Sequence, residues 1–269
     1  MADSAKSIRR EQAWVAGGSW KRRRLSESDL RERILGTAVA MLTDSGGLTV
    51  SMAHLNMEEL IRIADVPRSS VYRAWGTKEA FYVELMERMV IPGPEGSYAE
   101  EVVRVARAVL EQHRELLGTP QGRRTVLAEL IRCTVTHSFH GAARSLAWRS
   151  FTALALAVPT FDEGDQERIL AALARSHARV IDRVAEVYAE ALPKLGMRVK
   201  AGFDIRTCIA TGSSAMDGLI RLSLTDPDTV ASRTVRAGPN GEPVEWELPA
   251  VAFMAILDAM VEPDPEFCE

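Results

Sequence analysis

Apolar residues recur every three or four positions along almost the whole 269-residue chain, and no run shows sustained strand alternation. Leu30, Ile34, Leu35, Ala38, Met41 and Leu42 form a stripe that stops at Gly46-Gly47. Met57, Leu60, Ile61 and Ala64 predict a short second helix. A third, from Arg68 to Trp75, turns Val71 and Trp75 inward. Gly76 ends it, and Thr77 is placed to cap a fourth helix carrying Phe81, Leu85 and Met86. Pro92-Gly93-Pro94 then breaks the chain.

Beyond Ser97 the predicted helices lengthen, covering 98–117, 121–138, 141–157, 163–192, 204–224 and 246–261. Phe139-His140-Gly141 separates the second from the third. A Gly/Pro-rich loop, RAGPNGEPVEW, joins the last two. The expectation is an all-α chain in three parts: a basic N-terminal extension (1–27), a three-helix head (28–90) and a larger helical body (97–269).

Composition changes this picture little. A hydrophobic share of 46% supports a sizeable core and excludes wholesale disorder. The uncharged run Leu248–Leu257 falls short of the roughly 20 residues a bilayer requires. The N-terminus carries no apolar signal-peptide core. Cys133, Cys208 and Cys268 are odd in number and widely spaced, which speaks against a disulfide framework or structural zinc and for a cytoplasmic setting. The formal net charge is −4, yet the first 78 residues are net basic and the remainder net acidic. An acidic whole does not exclude nucleic acid, because a binding face needs only local charge.

The head carries the most specific chemistry. Three short helices with a tight turn between the second and third describe a helix-turn-helix. Asn56, three residues before Glu59, is placed to cap the second helix. With Val71 and Trp75 buried, the third helix presents Arg68, Ser69, Tyr72 and Arg73. Guanidinium forks suit guanine O6 and N7, and hydroxyls suit phosphates or base edges.

The stretch from Leu25 to Leu85 resembles the N-terminal domain of the tetracycline-repressor (TetR) family of bacterial regulators. The resemblance rests on Arg33-Ile34-Leu35, Gly46, Leu48-Thr49-Val50, Met57-Glu58-Glu59-Leu60, Ala64-Asp65-Val66, Arg68 through Trp75, and Gly76-Thr77-Lys78-Glu79-Ala80. It implies that Arg68, Ser69, Ser70 and Arg73 read bases in the major groove, while Tyr72, Lys78 and Asn56 hold phosphates. Trp75 matches an aromatic core position. Two residues depart from the pattern: Asp65 stands where Gly is usual, and Pro67 replaces the usual hydroxyl cap. Lys21-Arg22-Arg23-Arg24, just before the first helix, reads either as an arm following the DNA backbone or as a solvated charge run.

For the body the resemblance implies pairing with a second copy and a pocket for a small effector. The 204–224 and 246–261 helices are rich in apolar residues, which predicts a two-fold helical interface that includes Ile220 and Met254. Gly212-Ser213-Ser214-Ala215 is small enough for close helix contact. Candidate pocket residues are the polar and aromatic interruptions of apolar stripes: His113, Cys133, His137, Trp148, Phe151, Thr152 and His177. A lone His on such a stripe is more often a satisfied core residue. Cys133 and His137 lack a matching ligand cluster, so neither metal nor cofactor is expected. The reading is a cytoplasmic regulator, a homodimer that binds a palindromic DNA operator and a small effector, with repression the expected sign. An all-helical enzyme with an accessory head is the alternative, but the chain has no GxSxG, P-loop, dinucleotide fingerprint or HExxH. A nonspecific architectural DNA binder would not need so large an apolar-striped body.

Overall fold

The computed structural model describes residues 25–44, 56–90 and 98–267. The basic run Lys21–Arg24, the Gly46-Gly47 stop and the Pro92–Pro94 break lie outside them.

The head consists of α1 (Glu27–Asp44), α2 (Met57–Ala64), α3 (Arg68–Trp75) and α4 (Lys78–Val90). Its core gathers Leu30, Ile34, Leu35 and Ala38 of α1, Leu60 of α2, Val71 and Trp75 of α3, and Phe81, Leu85 and Met89 of α4. These are the apolar stripes of the sequence turned toward one another. Asn56 Oδ1 caps α2, accepting from the backbone N–H of Glu58 at 2.9 Å and of Glu59 at 3.4 Å. Such a cap contributes about 1 kcal/mol. Thr77 Oγ1 does the same for α4, accepting from Ala80 N at 3.1 Å.

The body comprises α5 (Tyr98–Gln112), α6 (Pro120–Arg144), α7 (Leu146–Ala157), α8 (Glu163–Lys194), α9 (Ile205–Leu222), the single turn α10 (Pro227–Val230) and α11 (Leu248–Met260). Short 3-10 turns cover Arg114–Gly118 and Val158–Thr160. Five of these helices, α5, α6, α8, α9 and α11, share one core that includes Val103, Leu127, Ile131, Tyr188, Ile209 and Phe253. The close approach of α9 to α11 requires Gly212, since a Cβ there would stand 2.1 Å from Phe253 Cε2.

α4 packs on two sides. Phe81, Leu85 and Met89 face the head. Val83 and Met86 face the other way, against Leu154 of α7 and Ile169, Ala172 and Leu173 of α8.

The structure departs from the sequence reading in five places. The second and third body helices part at Ser145 rather than at Phe139–Gly141, because burial of Phe139 and Ala142 carries α6 through Gly141. A helical Gly costs only about 1 kcal/mol relative to Ala. Ser145 Oγ then caps α7 through Trp148 N at 3.2 Å. The first body helix ends as α-helix at Gln112 and continues as a 3-10 turn.

The segment expected as a loop between the last two helices is an antiparallel hairpin. In it β2 (Arg233–Ala237) pairs with β3 (Pro243–Glu247) in the register Arg233↔Glu247 to Ala237↔Pro243. Every residue of β2 is exposed, so the strand leaves no apolar alternation to read. Buried Trp246 anchors the hairpin to the body core. A second pair, β1 (Met197–Val199) with β4 (Val261–Pro263), joins residues far apart in sequence.

Finally, Ile220 and Met254 are buried inside one chain, at 2% and 6% exposure, and form no free face for a partner. The exposed apolar residues of α11 are instead Ala255 and Ala259, flanked by half-buried Ala252 and Ile256.

Candidate nucleic-acid interface

Asp65, Val66 and Pro67 set α3 across α2. Asp65 takes the left-handed conformation (φ 49°, ψ 53°), and its N–H returns to the carbonyls of Ile61 and Arg62. Asp is among the few non-glycine residues that visit this region. Pro67 (φ −67°) enters α3 without a side-chain cap. Ala64 is buried where the two helices meet. At the far end Gly76 has φ +69°, which only glycine adopts freely, and the chain turns there into α4.

Trp75 locks the C-terminal end of α3. Its ring meets Phe81 edge-on at 5.2 Å, and Nε1 donates to Glu84 Oε2 at 2.7 Å. The Arg31 guanidinium lies 4.8 Å from the ring centroid and donates both to Glu84 and to the Ala74 carbonyl. One half-buried carboxylate on α4 therefore ties α1 and the end of α3 to the helix that packs on the body.

With Val71 and Trp75 inward, the rest of α3 is displayed in three strips. Arg68 and Tyr72 lie on the flank toward α2, where Arg68 Nη2 is 2.9 Å from Glu58 Oε1 and its guanidinium is 5.4 Å from the Tyr72 ring centroid. Ser70 and Ala74 lie on the flank toward α1. There Leu25, Glu27, Arg33, Pro67 and Arg73 join them around an open groove of about 650 Å³. Ser69 and Arg73 stand between the flanks, both exposed. Lys78, in the first turn of α4, and Asn56, capping α2, are exposed as well. Two arginines, hydroxyl groups and a helix end thus share one side of the head. Forked donors with hydroxyls on a helix of this size suit base edges and phosphates in a major groove.

No protein-family model matches the chain. Over 127 residues it is 26% identical to the HTH-type transcriptional repressor NemR of Escherichia coli K12, covering 44% of this chain. The chain spans about 61% of the length of that curated relative. Solved structures similar over most of the chain's length include reduced E. coli NemR (16% identity, TM-score 0.43, 87% of this chain and 99% of that one). A TetR-family protein of Vibrio parahaemolyticus shows 16% identity and TM-score 0.44 over 87% of this chain and 100% of its own. SmeT, the repressor of the Stenotrophomonas maltophilia multidrug efflux pump SmeDEF, shows 18% identity and TM-score 0.40 over 86% and 90%.

Below the head, the seven candidate pocket residues are held by several different partners. His113 is buried at the end of α5. Cys133 Sγ lies 3.2 Å from Glu129 Oε1, and the same carboxylate takes two hydrogen bonds from Arg132 at 2.6 and 2.7 Å. Burial, reinforced by the Glu129 charge, pushes the Cys133 thiol up to about 12. Burial also opposes ionisation of Glu129, but Arg132 and the Cys133 thiol outweigh it and hold that carboxyl low. His137 Nε2 pairs with Glu101 Oε1 at 2.9 Å on the surface. Trp148 Nε1 donates to Asp217 Oδ1 at 2.7 Å. Phe151 and His177 stack obliquely at 6.2 Å, and Thr152 is half-buried on α7.

The small cavity in the body core, about 30 Å³, is lined by other residues: Val102, Thr134, Ser138, Val184, Tyr188 and Ser213 among them. Thr134 Oγ1 and Tyr188 Oη share a hydrogen bond of 3.0 Å there. Full burial pushes the Tyr188 phenol up to about 12, so it stays neutral. Thr134 and Ser138 sit at i, i+4 on an apolar helix, the one signal in the sequence that points to this cavity. Among the described residues no group of three His, Cys, Asp or Glu side chains is arranged for a metal. No described helix is long and apolar enough to cross a membrane.

Proposed function

We propose that this protein is a sequence-specific DNA-binding transcriptional regulator, a homodimeric repressor that a small-molecule effector releases from a palindromic operator. The observation that carries the reading is the outward face of α3, with Arg68, Ser69, Ser70, Tyr72 and Arg73 displayed by a helix whose other face is locked through Val71 and Trp75. Arg68, Ser69, Ser70 and Arg73 take base edges, and Tyr72, Lys78 and Asn56 take phosphates. The likeness to a repressor named for its helix-turn-helix supports the same assignment.

The switch follows from α4. A cavity of about 30 Å³ holds no more than a water-sized group, so an effector enters by parting the helices around it. Tyr188 on that cavity and Ile169, Ala172 and Leu173 at the α4 junction belong to the same helix, α8. Displacing α8 moves α4, and with α4 the Glu84 anchor of α3. In a dimer this alters the separation of the two recognition helices, which must stand about 34–36 Å apart to read successive major grooves. The coupling is reciprocal: operator DNA weakens effector binding by the same factor.

The test is a binding titration, by fluorescence anisotropy, on duplexes selected from a randomised library, with single-base variants at several salt concentrations. Arg73→Ala should relax preference at one base pair by about 1–3 kcal/mol. Lys78→Ala should weaken all sequences alike and lower the salt slope by about one per half-site. Sedimentation should give twice 29.6 kDa, and Ala255→Arg on the exposed face of α11 should return the mass to 29.6 kDa. A wild-type protein with no sequence preference overturns the reading.

A further inference from the structure

Beside the α3 face stands a carboxylate that does not suit a polyanion. Glu58, in the first turn of α2, places Oε1 2.9 Å from Arg68 Nη2 and 3.5 Å from the Tyr72 hydroxyl. Arg68 in turn lies across the Tyr72 ring. All three side chains are exposed. An exposed ion pair contributes little to stability, so the contact is not needed to hold the head together. Its consequence is for DNA. A carboxylate beside two groups directed at the duplex repels phosphate, and it occupies the guanidinium that would otherwise take a phosphate on any sequence.

We propose that Glu58 is a specificity-determining residue of the DNA interface, one that withholds Arg68 from the phosphate backbone and releases it only to a matching base pair. The proposal rests on the DNA-binding reading. A lone phosphate oxygen offers Arg68 much the same bond that Glu58 already supplies, while bringing a second negative charge close to the carboxylate. A guanine offers O6 and N7 to the fork at once, with no added negative charge. Where that guanine is paired with cytosine, the Glu58 carboxylate accepts from cytosine N4–H, so guanidinium and carboxylate together match one base pair. Random sequence provides the repulsion without this return. Glu58 therefore lowers nonspecific affinity more than operator affinity, and specificity is the ratio of the two.

The experiment compares wild type, Glu58→Gln, Arg68→Ala and the double variant. The probes are a duplex recovered from a randomised library with the wild-type protein and a poly(dA-dT) competitor, which has neither guanine O6 nor cytosine N4–H, each titrated from low to physiological salt. Glu58→Gln should bind poly(dA-dT) about tenfold more tightly. Its salt slope on that DNA should steepen by about one per half-site, the signature of one newly made phosphate contact. The selected-to-competitor ratio should fall about tenfold. In the Arg68→Ala background the same substitution should change the slope little, because the guanidinium is no longer there to release. Glu58→Ser serves as a second variant should Glu58→Gln fold poorly, and thermal melting checks both. An unchanged ratio in a folded Glu58 variant, with a selective wild type, overturns the role of Glu58 alone. A wild type that selects no sequence overturns the DNA-binding reading and this proposal with it.

Discussion

Replacing Glu84 tests whether one carboxylate holds the recognition helix in place. Its Oε2 accepts from Trp75 Nε1 at 2.7 Å and from the Arg31 guanidinium, which also donates to the Ala74 carbonyl. The two charged side chains are 31% and 27% exposed, between the surface and buried regimes. A hydrogen bond to a charged group contributes about 1.5–3 kcal/mol, and a surface pair only about 0–1. Glu84→Gln keeps an acceptor for the indole and loses the charge facing Arg31, so it should cost about 1–2 kcal/mol. Glu84→Ala also orphans the Trp75 N–H and should cost about 2–4 kcal/mol. Urea unfolding followed by tryptophan fluorescence measures both. At a slope of about 2 kcal/mol/M the Gln variant should lower the midpoint by roughly 0.5–1 M. Amide exchange should quicken in α3 before it does in the body core. A Glu84→Ala protein as stable as wild type, with α3 equally protected, would falsify the anchoring role.

Gly212→Ala should destabilise the body by about 1–3 kcal/mol, since the new methyl meets the Phe253 ring and α9 must move off α11; calorimetry showing no loss would contradict that packing. With the Cys133 thiol pushed up to about 12 by burial and the Glu129 charge, its thiolate fraction at pH 8 is far below that of an ordinary thiol. In a Cys208→Ser, Cys268→Ser background, iodoacetamide should leave folded Cys133 unlabelled while a free-thiol peptide reacts to completion; rapid labelling would refute the burial argument. Because the folded value is raised, the unfolded chain ionises first and Cys133 costs stability as pH climbs from about 9 toward about 12. Cys133→Ser should flatten that decline in a pH series of urea midpoints.

The amino-acid sequence by itself determined where the helices of the head lie and which side of each is buried. The 3.6-residue stripe, the Asn56 and Thr77 caps and the glycine at 76 are local signals, and local hydrogen bonding and sterics are enough to read them. It also determined that α3 presents Arg68, Ser69, Tyr72 and Arg73 once Val71 and Trp75 turn in, because a helix fixes which residues share a face. What covers a face is not local. Ile220 and Met254 are apolar at helical spacing, but only packing decided that one chain buries them. Gly141 reads as a break until the flanking burial of Phe139 and Ala142 outweighs its modest cost. The β1–β4 pair joins residues more than sixty positions apart and was invisible to any window of sequence.

The body cavity shows the same limit. His113, Cys133, His137, Trp148, Phe151, Thr152 and His177 are each unusual on their own helices, yet Cys133, His137 and Trp148 are paired with Glu129, Glu101 and Asp217, and Phe151 and His177 with each other. Thr134, Ser138, Tyr188 and Ser213 meet instead, because α6, α8 and α9 turn these positions to a common centre. On the interface, Glu58 and Arg68 stand ten residues apart and carry no sign of pairing in the sequence. The left-handed Asp65 and the Pro67 entry angle fold α3 back across α2 and bring their charges to 2.9 Å. Periodicity assigns a side chain to a face. Which faces meet depends on the packing of distant elements, and only the tertiary structure decided it.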